Sequence, residues 1–239
     1  MSRESILGAI RRGLRRGPVT EDTALLLRAR LALHRRQLIP ARSRVARPAQ
    51  IALFLGNLEA TFATVTRVAG LAAVPEAVGD YLAGHNLPLA VAIAPHPELR
   101  DIPWSERPLL ALREGKGEAA DLVAIQHGWG GIAETGTLML PAGPERPTTL
   151  NLLADTAIVV LRASRVFGAY EEAWDALRAE RAGRLPMPRN IMMVTGPSRS
   201  ADIESTLELG AHGPRRLHVV LIDDDPQAIE APPAAAEAE

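Results

Sequence analysis

The chain of 239 residues has no cysteine and only one lysine, Lys116, among its 27 lysines and arginines. Without thiols it can form no disulfide, and it offers no thiolate to an iron–sulfur cluster. It also lacks any run of about twenty apolar residues that could span a bilayer, and arginines interrupt the N-terminal segment where a secretory core would lie. We therefore expect a cytoplasmic chain without a membrane span, with any redox metal chemistry on a partner.

The charges are unevenly distributed, although the net charge is only −1. Residues 1–47 carry twelve arginines against three acidic residues, whereas every charged residue after Ile222 is acidic. A basic arm can bind nucleic acid through phosphate contacts, but this one has no lysine, no aromatic residue for base stacking and no recognised DNA-binding pattern. We expect no nucleic-acid partner and interpret the arginines as the solvated face of packed helices.

The sequence divides into three regions. Residues 1–47 form a predicted N-terminal helical arm, because apolar residues recur at helical spacing over 2–16 and again over 25–38. Residues 48–225 form the predicted main domain, which follows a loop-like stretch rich in proline and arginine. Residues 226–239 form an acidic tail rich in alanine and proline, with little to bury, so we expect it to be disordered.

The main domain alternates helical patterns with short apolar runs. Continuous apolar runs of four to six residues are typical of strands that are covered on both faces. This alternation predicts an α/β fold with a layered, mostly parallel sheet. The predicted helices cover 49–65, 75–84, 168–182 and 201–209, an apolar run covers 68–73, and the predicted strands cover 89–94, 122–126, 137–140, 157–161, 191–195 and 217–222.

The densest motif is HGWGGIAETGT at 127–137, which leaves a strand, turns through four glycines and enters a new apolar run. Its one carboxylate, Glu134, is the candidate catalytic residue: a general base, a nucleophile toward an acyl group, or only an anchor that fixes the loop. Thr135, Gly136 and Thr137 are candidate ligand-binding residues, with local hydrogen bonding in the turn as the alternative.

A second motif, TGPSRSADIE at 195–204, reads as a strand, a Gly-Pro turn and the start of a helix. Free N–H groups at a helix start attract anions, so Gly196, Ser198, Arg199 and Asp202 are candidate ligand-binding residues. The alternative is a helix N-cap at Ser198 or Ser200.

The third motif, GAHGPRR at 210–216, adds His212 and Arg215 as candidate ligand-binding residues, with a structural turn and a helix C-cap at Gly210 as the alternative. The six histidines lack the paired spacing of a helical metal site, so we predict no tightly bound metal. Gly128, Gly130 and Gly131 do not make a dinucleotide fingerprint.

Three strings, GIAETGTLML, TGPSRSADIE and LGAHGPRRLHVVLID, together with the opening SRESILGAIRRGL, resemble the lactate-utilization protein C (LutC or YkgG) family with its LUD domain. The resemblance implies a fold similar to the sugar-phosphate isomerase and CoA-transferase-like (NagB/RpiA/CoA transferase-like) proteins. It also implies a role in a three-component system that oxidises L-lactate to pyruvate. Iron–sulfur clusters are then expected on partner subunits, and no cofactor on this chain.

The sequence departs from the family pattern at one point. Family members often have a histidine shortly before the strand, where this chain reads LLADTA at 152–157. Asp155 could replace that imidazole only with a large shift in its pKa. If the histidine takes part in the chemistry, this protein is altered there.

Three hypotheses for the function follow. The first is an accessory, non-redox subunit with a pocket that binds a small carboxylate or phosphate-like anion through arginine; the pocket residues are Glu134, Thr135, Ser198, Arg199, Asp202 and His212. The second is an acyl- or CoA-handling enzyme in which Glu134 attacks a thioester. The third is a scaffold that assembles the iron–sulfur subunits through the arginine-rich arm. The sequence leaves open whether the chain is catalytic.

Overall fold

The computed structural model describes residues 2–15, 17–203 and 206–229, without the side chains of 200–203, 206–208 and 228–229. The chain divides between Leu38 and Ile39 into two compact units. The first unit holds two helices, α1 (Arg3–Gly13) and α2 (Glu21–Leu33), neither of which buries a side chain. The hydroxyls of Ser2 and Thr20 accept backbone N–H groups and cap the two helices. Helices thus lie within the region predicted as an N-terminal helical arm, and the arm as a domain over 1–47 stays a prediction.

The second unit is built on a parallel sheet, which in the described part of the chain has six strands in the order β1-β12-β7-β4-β2-β3. Every neighbouring pair in this sheet is parallel. The prediction of a layered, mostly parallel α/β sheet is therefore confirmed. The strands are β1 (Thr64–Val68), β2 (Ala90–Ile93), β3 (Ala111–Glu114), β4 (Val123–His127), β7 (Thr156–Arg162) and β12 (Arg216–Ile222).

Alternate residues of the central strands point to opposite faces of this sheet. Ile158 and Val220 belong to a core formed with helix α4 (Val74–Gly84), whereas Val159 and Val219 belong to a core formed with helix α3 (Arg47–Ala60). Because both faces are covered, the strands are apolar throughout, which is why they were recognisable in the sequence.

A smaller sheet lies on the α3 side, with strands in the order β8-β5-β6-β9. Its core of Trp129, Ile132 and Met139 packs with Ala173 and Leu177 of helix α6 (Tyr170–Arg181). The strands are β5 (Gly130–Ile132), β6 (Thr137–Pro141), β8 (Val166–Phe167) and β9 (Ile191–Val194). Two short helices are α5 (Pro97–Arg100) and α7 (Pro226–Ile229). None of the helices in the described ranges has the length and apolar character needed to cross a membrane.

Two predicted helices are wrong in part or whole. The helix predicted over 49–65 ends at Ala60, and β1 begins at Thr64. The sequence TVTRV of β1 is rich in β-branched residues, which favour a strand. The helix predicted over 201–209 is replaced by an antiparallel hairpin of β10 (Arg199–Ile203) and β11 (Thr206–Leu209).

Two predictions about the ends of the main domain have different outcomes. α7 covers the start of the tail predicted to be disordered, and residues 230–239 of that tail lie outside the described residues. The domain boundary predicted at 47/48 stays a prediction.

Candidate functional site

Polar side chains meet at the carboxyl edge of the parallel sheet. His96 follows β2, His127 is the last residue of β4, Arg162 is the last residue of β7, and Asp224 follows β12. Because parallel strands present their carboxyl ends at one edge, the fold brings together residues that are far apart in the chain. Glu98 of α5 and Arg146 of the loop after β6 complete the group. We call these six residues the carboxyl-edge cluster.

Glu98 is the charged centre of the carboxyl-edge cluster. Its Oε2 lies 3.1 Å from His127 Nε2, and its Oε1 accepts a hydrogen bond of 2.6 Å from Arg162 Nε. The hydrogen bond with His127 lowers the pKa of Glu98 to about 2, against the opposing effect of burial and with a further lowering by Arg162. Glu98 is therefore a carboxylate at neutral pH, held by two partners.

His127 connects Glu98 to Arg146. Its Nδ1 accepts a hydrogen bond of 3.0 Å from Arg146 Nε, while its Nε2 faces the Glu98 carboxylate. Only the neutral tautomer with the proton on Nε2 satisfies both contacts. Burial lowers the pKa of His127, the hydrogen bond to Glu98 raises it, and the charge of Arg146 lowers it again. His127 therefore orients the Arg146 guanidinium as a neutral ring.

His96 stacks on His127, with ring centroids 3.6 Å apart and planes 13° apart. Its Nδ1 accepts a hydrogen bond of 3.2 Å from the Glu98 backbone N–H, and its Nε2 lies 3.0 Å from Arg146 Nη2. Burial, followed by the charges of His127 and Arg146, lowers the pKa of His96 to about 3. His96 is therefore neutral as well.

His96, Glu98 and His127 form a group of possible metal ligands among the described residues, with one ligand atom from each lying within 4.8 Å of the others. The stacking of the two rings does not suit a shared ion. A ligand nitrogen binds a metal in the plane of its ring, and an ion in the plane of one stacked ring lies above the other. The guanidinium of Arg146 beside both rings also repels a cation. The geometry thus fits a metal poorly, and the sequence-based expectation of no metal stays a prediction.

Glu134, the candidate catalytic residue, lies away from this cluster. It is 8% exposed, and its Oε1 accepts a hydrogen bond of 3.2 Å from the backbone N–H of Tyr170, the first residue of α6. Its own N–H donates to Gly168 O at 3.1 Å. These contacts are those of a loop anchor at a helix N-terminus, where a carboxylate is favoured. Acyl transfer by Glu134 stays a prediction.

Thr135 and Thr137 form a small hydroxyl network beside Glu134. Thr135 Oγ1 lies 2.7 Å from Thr137 Oγ1, both lie within 3.1 Å of the Tyr170 hydroxyl, and Thr137 Oγ1 lies 2.6 Å from Thr195 Oγ1. The network joins the turn after β5 to α6 and to the end of β9. Gly136 lies in this turn with a positive φ of 66°.

Gly196 and Ser198 line a cavity of about 20 Å³, room for about one water molecule. Ser198 Oγ accepts the His212 N–H at 3.3 Å. The residues directly after Ser198 form strand β10 and not a helix, so the predicted helix N-terminus for an anion and the alternative N-cap are both wrong, as is the C-cap role of Gly210. The hairpin β10–β11 takes the place of that helix.

The remaining candidates point outward from this region or lie outside it. Arg199 Nη2 donates to Thr61 O at 2.8 Å, and its guanidinium lies 3.7 Å from the centre of the Phe62 ring. Arg215 lies 3.9 Å from the exposed Asp155, just before β7 and therefore at the amino edge of the sheet. The Asp202 side chain lies outside the described part of the structure.

The structure therefore separates the predicted pocket into two groups. Thr137 and Thr195 connect the turn of Glu134 with the segment leading to Gly196. Within the described residues, no hydrogen bond or ion pair joins Glu134 to Ser198, Arg199 or His212. Neither group has such a contact with the carboxyl-edge cluster.

Sequence reasoning missed the carboxyl-edge cluster, although a signal was present. His96 and Arg162 each follow a predicted strand within two residues, and His127 comes directly after another. In a parallel sheet such positions share one edge. The spacing typical of a helical metal site does not detect these residues, because their neighbours in space come from different strands.

Comparisons with known proteins find similarity over part of the chain. Residues 116–222 match the LUD domain family. A Neisseria meningitidis protein named NMB1437 is 42% identical over 95 residues, 40% of each chain. Lactate utilization protein C of Bacillus subtilis is 34% identical over 93 residues, 39% of each chain, and YkgG of Escherichia coli is 29% identical over 102 residues, 43% of this chain and 44% of that one. The matches thus span about two fifths of these relatives' length.

The fold has a counterpart among solved structures. The crystal structure of a DUF162 family protein from Deinococcus radiodurans superposes with a TM-score of 0.57 and 22% identity, covering 74% of this chain and 99% of that chain. This likeness concerns the fold. Of the carboxyl-edge cluster, His127, Arg146 and Arg162 fall within the matched residues 116–222.

Proposed function

We propose that the protein, whose residues 116–222 match the LUD domain family, has a non-redox role in lactate utilization. The observation that carries this proposal is the match of that domain to relatives named lactate utilization protein C, at 34% identity in Bacillus subtilis and 33% in Macrococcus caseolyticus. The chain acts with iron–sulfur partner proteins in the oxidation of L-lactate to pyruvate. The lack of cysteine supports this division of labour, because thiolates are the main ligands of such clusters.

Within this role, the carboxyl-edge cluster is the working site. Ligands of open α/β sheets bind outside the carboxyl ends of the strands. The cluster lies at that edge, combines two arginines with two neutral histidines, and draws three of its six residues from the LUD domain. A site of this composition suits a small anion better than a hydride-transfer cofactor, for which the sequence has no dinucleotide fingerprint.

The proposed role is tested by complementation. Lactate-dependent dye reduction is measured in an extract of cells that lack this chain, before and after addition of the purified full-length protein. We expect the protein to restore activity. An extract that stays inactive with the folded protein contradicts the proposed role.

The same assay separates the two roles of Glu134. If Glu134 only anchors the loop to α6, Glu134→Gln restores dye reduction like the wild type, because the glutamine oxygen can still accept the Tyr170 N–H. If Glu134 is an acyl acceptor, the variant restores nothing while it folds normally.

A further inference from the structure

Arg146 is a partly buried cation whose described polar contacts are with two neutral rings. Its Nε donates to His127 Nδ1 at 3.0 Å, and its Nη2 lies 3.0 Å from His96 Nε2. Within the described residues, no carboxylate oxygen lies within 4.0 Å of its guanidinium, whereas Arg162 of the same cluster contacts both Glu98 and Asp224. Removing a guanidinium from water without a contacting counter-charge is costly. Such an arrangement is expected where a ligand supplies the negative charge.

His96 adds to the excess of hydrogen-bond donors. A neutral imidazole has one N–H and one acceptor nitrogen. Both nitrogens of His96 face donors, the Glu98 backbone N–H and Arg146 Nη2. If Nδ1 accepts from the backbone, the Nε2–H of His96 faces the Arg146 Nη2 donor across 3.0 Å, and an oxygen that accepts from both would relieve this contact. The nearest carboxylate described there is Glu145, at 3.9 Å from Nε2 and on a side chain that is 55% exposed.

We infer that Arg146 and His96 bind the carboxylate group of a small anion at the carboxyl edge of the sheet. A carboxylate accepts hydrogen bonds and donates none, so it complements a guanidinium that contacts no described carboxylate and an imidazole N–H that faces only another donor. The inference rests on the proposed function, which narrows the anion to a monocarboxylate with an oxygen on its second carbon, as in lactate or pyruvate. His127 and Glu98 are positioning residues, because they fix the direction of the guanidinium.

A groove of about 490 Å³ is lined by residues that neighbour His96 and Arg146 in the sequence. Its lining includes Pro95, which directly precedes His96, and Pro147, which directly follows Arg146. Lys116, the one lysine of the sequence, also lines this groove. His96 and Arg146 do not themselves line this groove, and the Lys116 ammonium in it favours the approach of an anion to this region of the surface.

The test is calorimetric titration of the full-length protein with L-lactate and with pyruvate, and with the uncharged amide of lactate as the ligand control. We expect millimolar or tighter binding of the acids and none of the amide. Arg146→Gln weakens binding by about tenfold or more, and Arg146→Lys weakens it less, because it keeps the charge but loses the planar fork.

Arg67→Gln is the matched protein control. Arg67 lies in β1, and a two-pronged contact with Asp223 already satisfies its guanidinium, with hydrogen bonds of 2.8 to 3.2 Å. We expect the affinity of the Arg67→Gln variant for lactate and pyruvate to stay within about twofold of the wild-type affinity. Circular dichroism of each variant establishes that it is folded, and the imidazole NMR signals of the wild type report the ligand at His96 without any substitution.

Several outcomes overturn the inference. The first is a wild-type protein that shows neither binding of the acids nor shifts of its imidazole signals. The second is a folded Arg146→Gln variant that binds the acids as tightly as the wild type. The third is a loss of affinity for the acids in Lys116→Gln but not in Arg146→Gln. The two proposals fail separately. Restored dye reduction without acid binding contradicts the carboxylate site alone, whereas acid binding without restored dye reduction contradicts the role in lactate utilization.

Discussion

His218 is a polar residue in an apolar position. It lies in the central strand β12, is 2% exposed and stacks on Tyr81 with ring centroids 3.9 Å apart. Its Nδ1 lies 2.8 Å from Thr64 Oγ1, whereas its Nε2 has no hydrogen-bond partner among the described residues. Burial, followed by the charge of His85, lowers the pKa of His218 to about 4. The ring is therefore neutral and costly to protonate.

This lowered pKa predicts acid sensitivity. In the unfolded chain His218 takes up a proton near its ordinary pKa of 6.5, but in the folded protein only near 4. Stability that is present above pH 6.5 is therefore lost as the pH falls toward 4, by about 2 to 3 kcal/mol between neutral pH and about pH 4.5. His218→Phe keeps the stacked ring without a titrating group, so its loss of stability over this range is smaller by that amount.

Urea unfolding of the wild type and His218→Phe at the two pH values measures this difference. His212→Gln, which changes an exposed histidine, is the control and should behave like the wild type. Parallel loss of stability in the wild type and His218→Phe would show that other groups cause the acid sensitivity.

His127 shows how far sequence reasoning reaches at the scale of one residue. Its position at the end of a buried strand and the start of a glycine-rich motif marked the segment as functional. Its contacts with His96 and Glu98 on one side of the chain and with Arg146 on the other come from two segments that lie 19 to 31 residues away in the sequence. No local pattern encodes such contacts, because they depend on which strands are neighbours.

The turn between β5 and β6 requires a glycine at position 136. Its φ of 66° lies in the left-handed region, and a Cβ there would lie 2.7 Å from the backbone of Asn57 and Leu58 in α3. Asn57 Nδ2 donates to Ala133 O at 2.8 Å in the same turn. The turn after β5 is thus pressed against α3, which gives Gly136 a packing role apart from any ligand.

Gly183 provides a matched comparison, because its φ is 68° and nothing lies within 4 Å of a Cβ built on it. Gly183→Ala carries only the backbone strain, about 1 to 2 kcal/mol. Gly136→Ala adds a clash with helix backbone that cannot move aside cheaply, so we expect a total loss of about 3 kcal/mol or more. Urea unfolding of both variants measures the difference. Equal losses would mean that α3 does not constrain the turn.

The hairpin β10–β11 shows why periodicity alone misassigned one element. The spacing of Ile203 and Leu207 suits a helix, and Leu207 and Leu209 alternate as in a strand. Over so short a segment the two patterns are hard to tell apart, and the intrinsic preference for helix is only a few tenths of a kcal/mol per residue. Pairing of Arg199 with Leu209 and of Ser200 with Glu208 decided in favour of the hairpin.

At the scale of the whole molecule, the first residues of the second unit, 39–47, contribute to that unit's stability. Arg47 donates to Asp225 Oδ2 at 2.6 Å, to Ala163 O at 2.5 Å and to Val166 O. Ser43 is buried as well. By contrast, α1 and α2 bury no side chain, and all three hydrophobic cores lie beyond Leu38.

Two truncations therefore differ in effect. Removing residues 1–38 should change the unfolding free energy of the remaining chain by less than about 1 kcal/mol. Removing residues 1–47 also removes Arg47 and should cost about 3 kcal/mol or more, because Asp225 and the buried carbonyl oxygens of Ala163 and Val166 each lose a donor. Urea unfolding of both truncated chains tests this. Equal unfolding free energies of the two truncated chains would place the boundary of the main domain at 47/48, as predicted from the sequence.

The sequence by itself determined the α/β class, the helical arm and most strands of the parallel sheet. These follow from local composition, since strands covered on both faces must be apolar along their length. The tertiary structure alone decided the strand order β1-β12-β7-β4-β2-β3, which is not the order along the chain. That order brings His96, His127, Arg146 and Arg162 to one edge and leaves Glu134 as an anchor elsewhere. The physical reason is that neighbours in this sheet are selected by long-range packing and pairing, for which adjacent residues carry no signal.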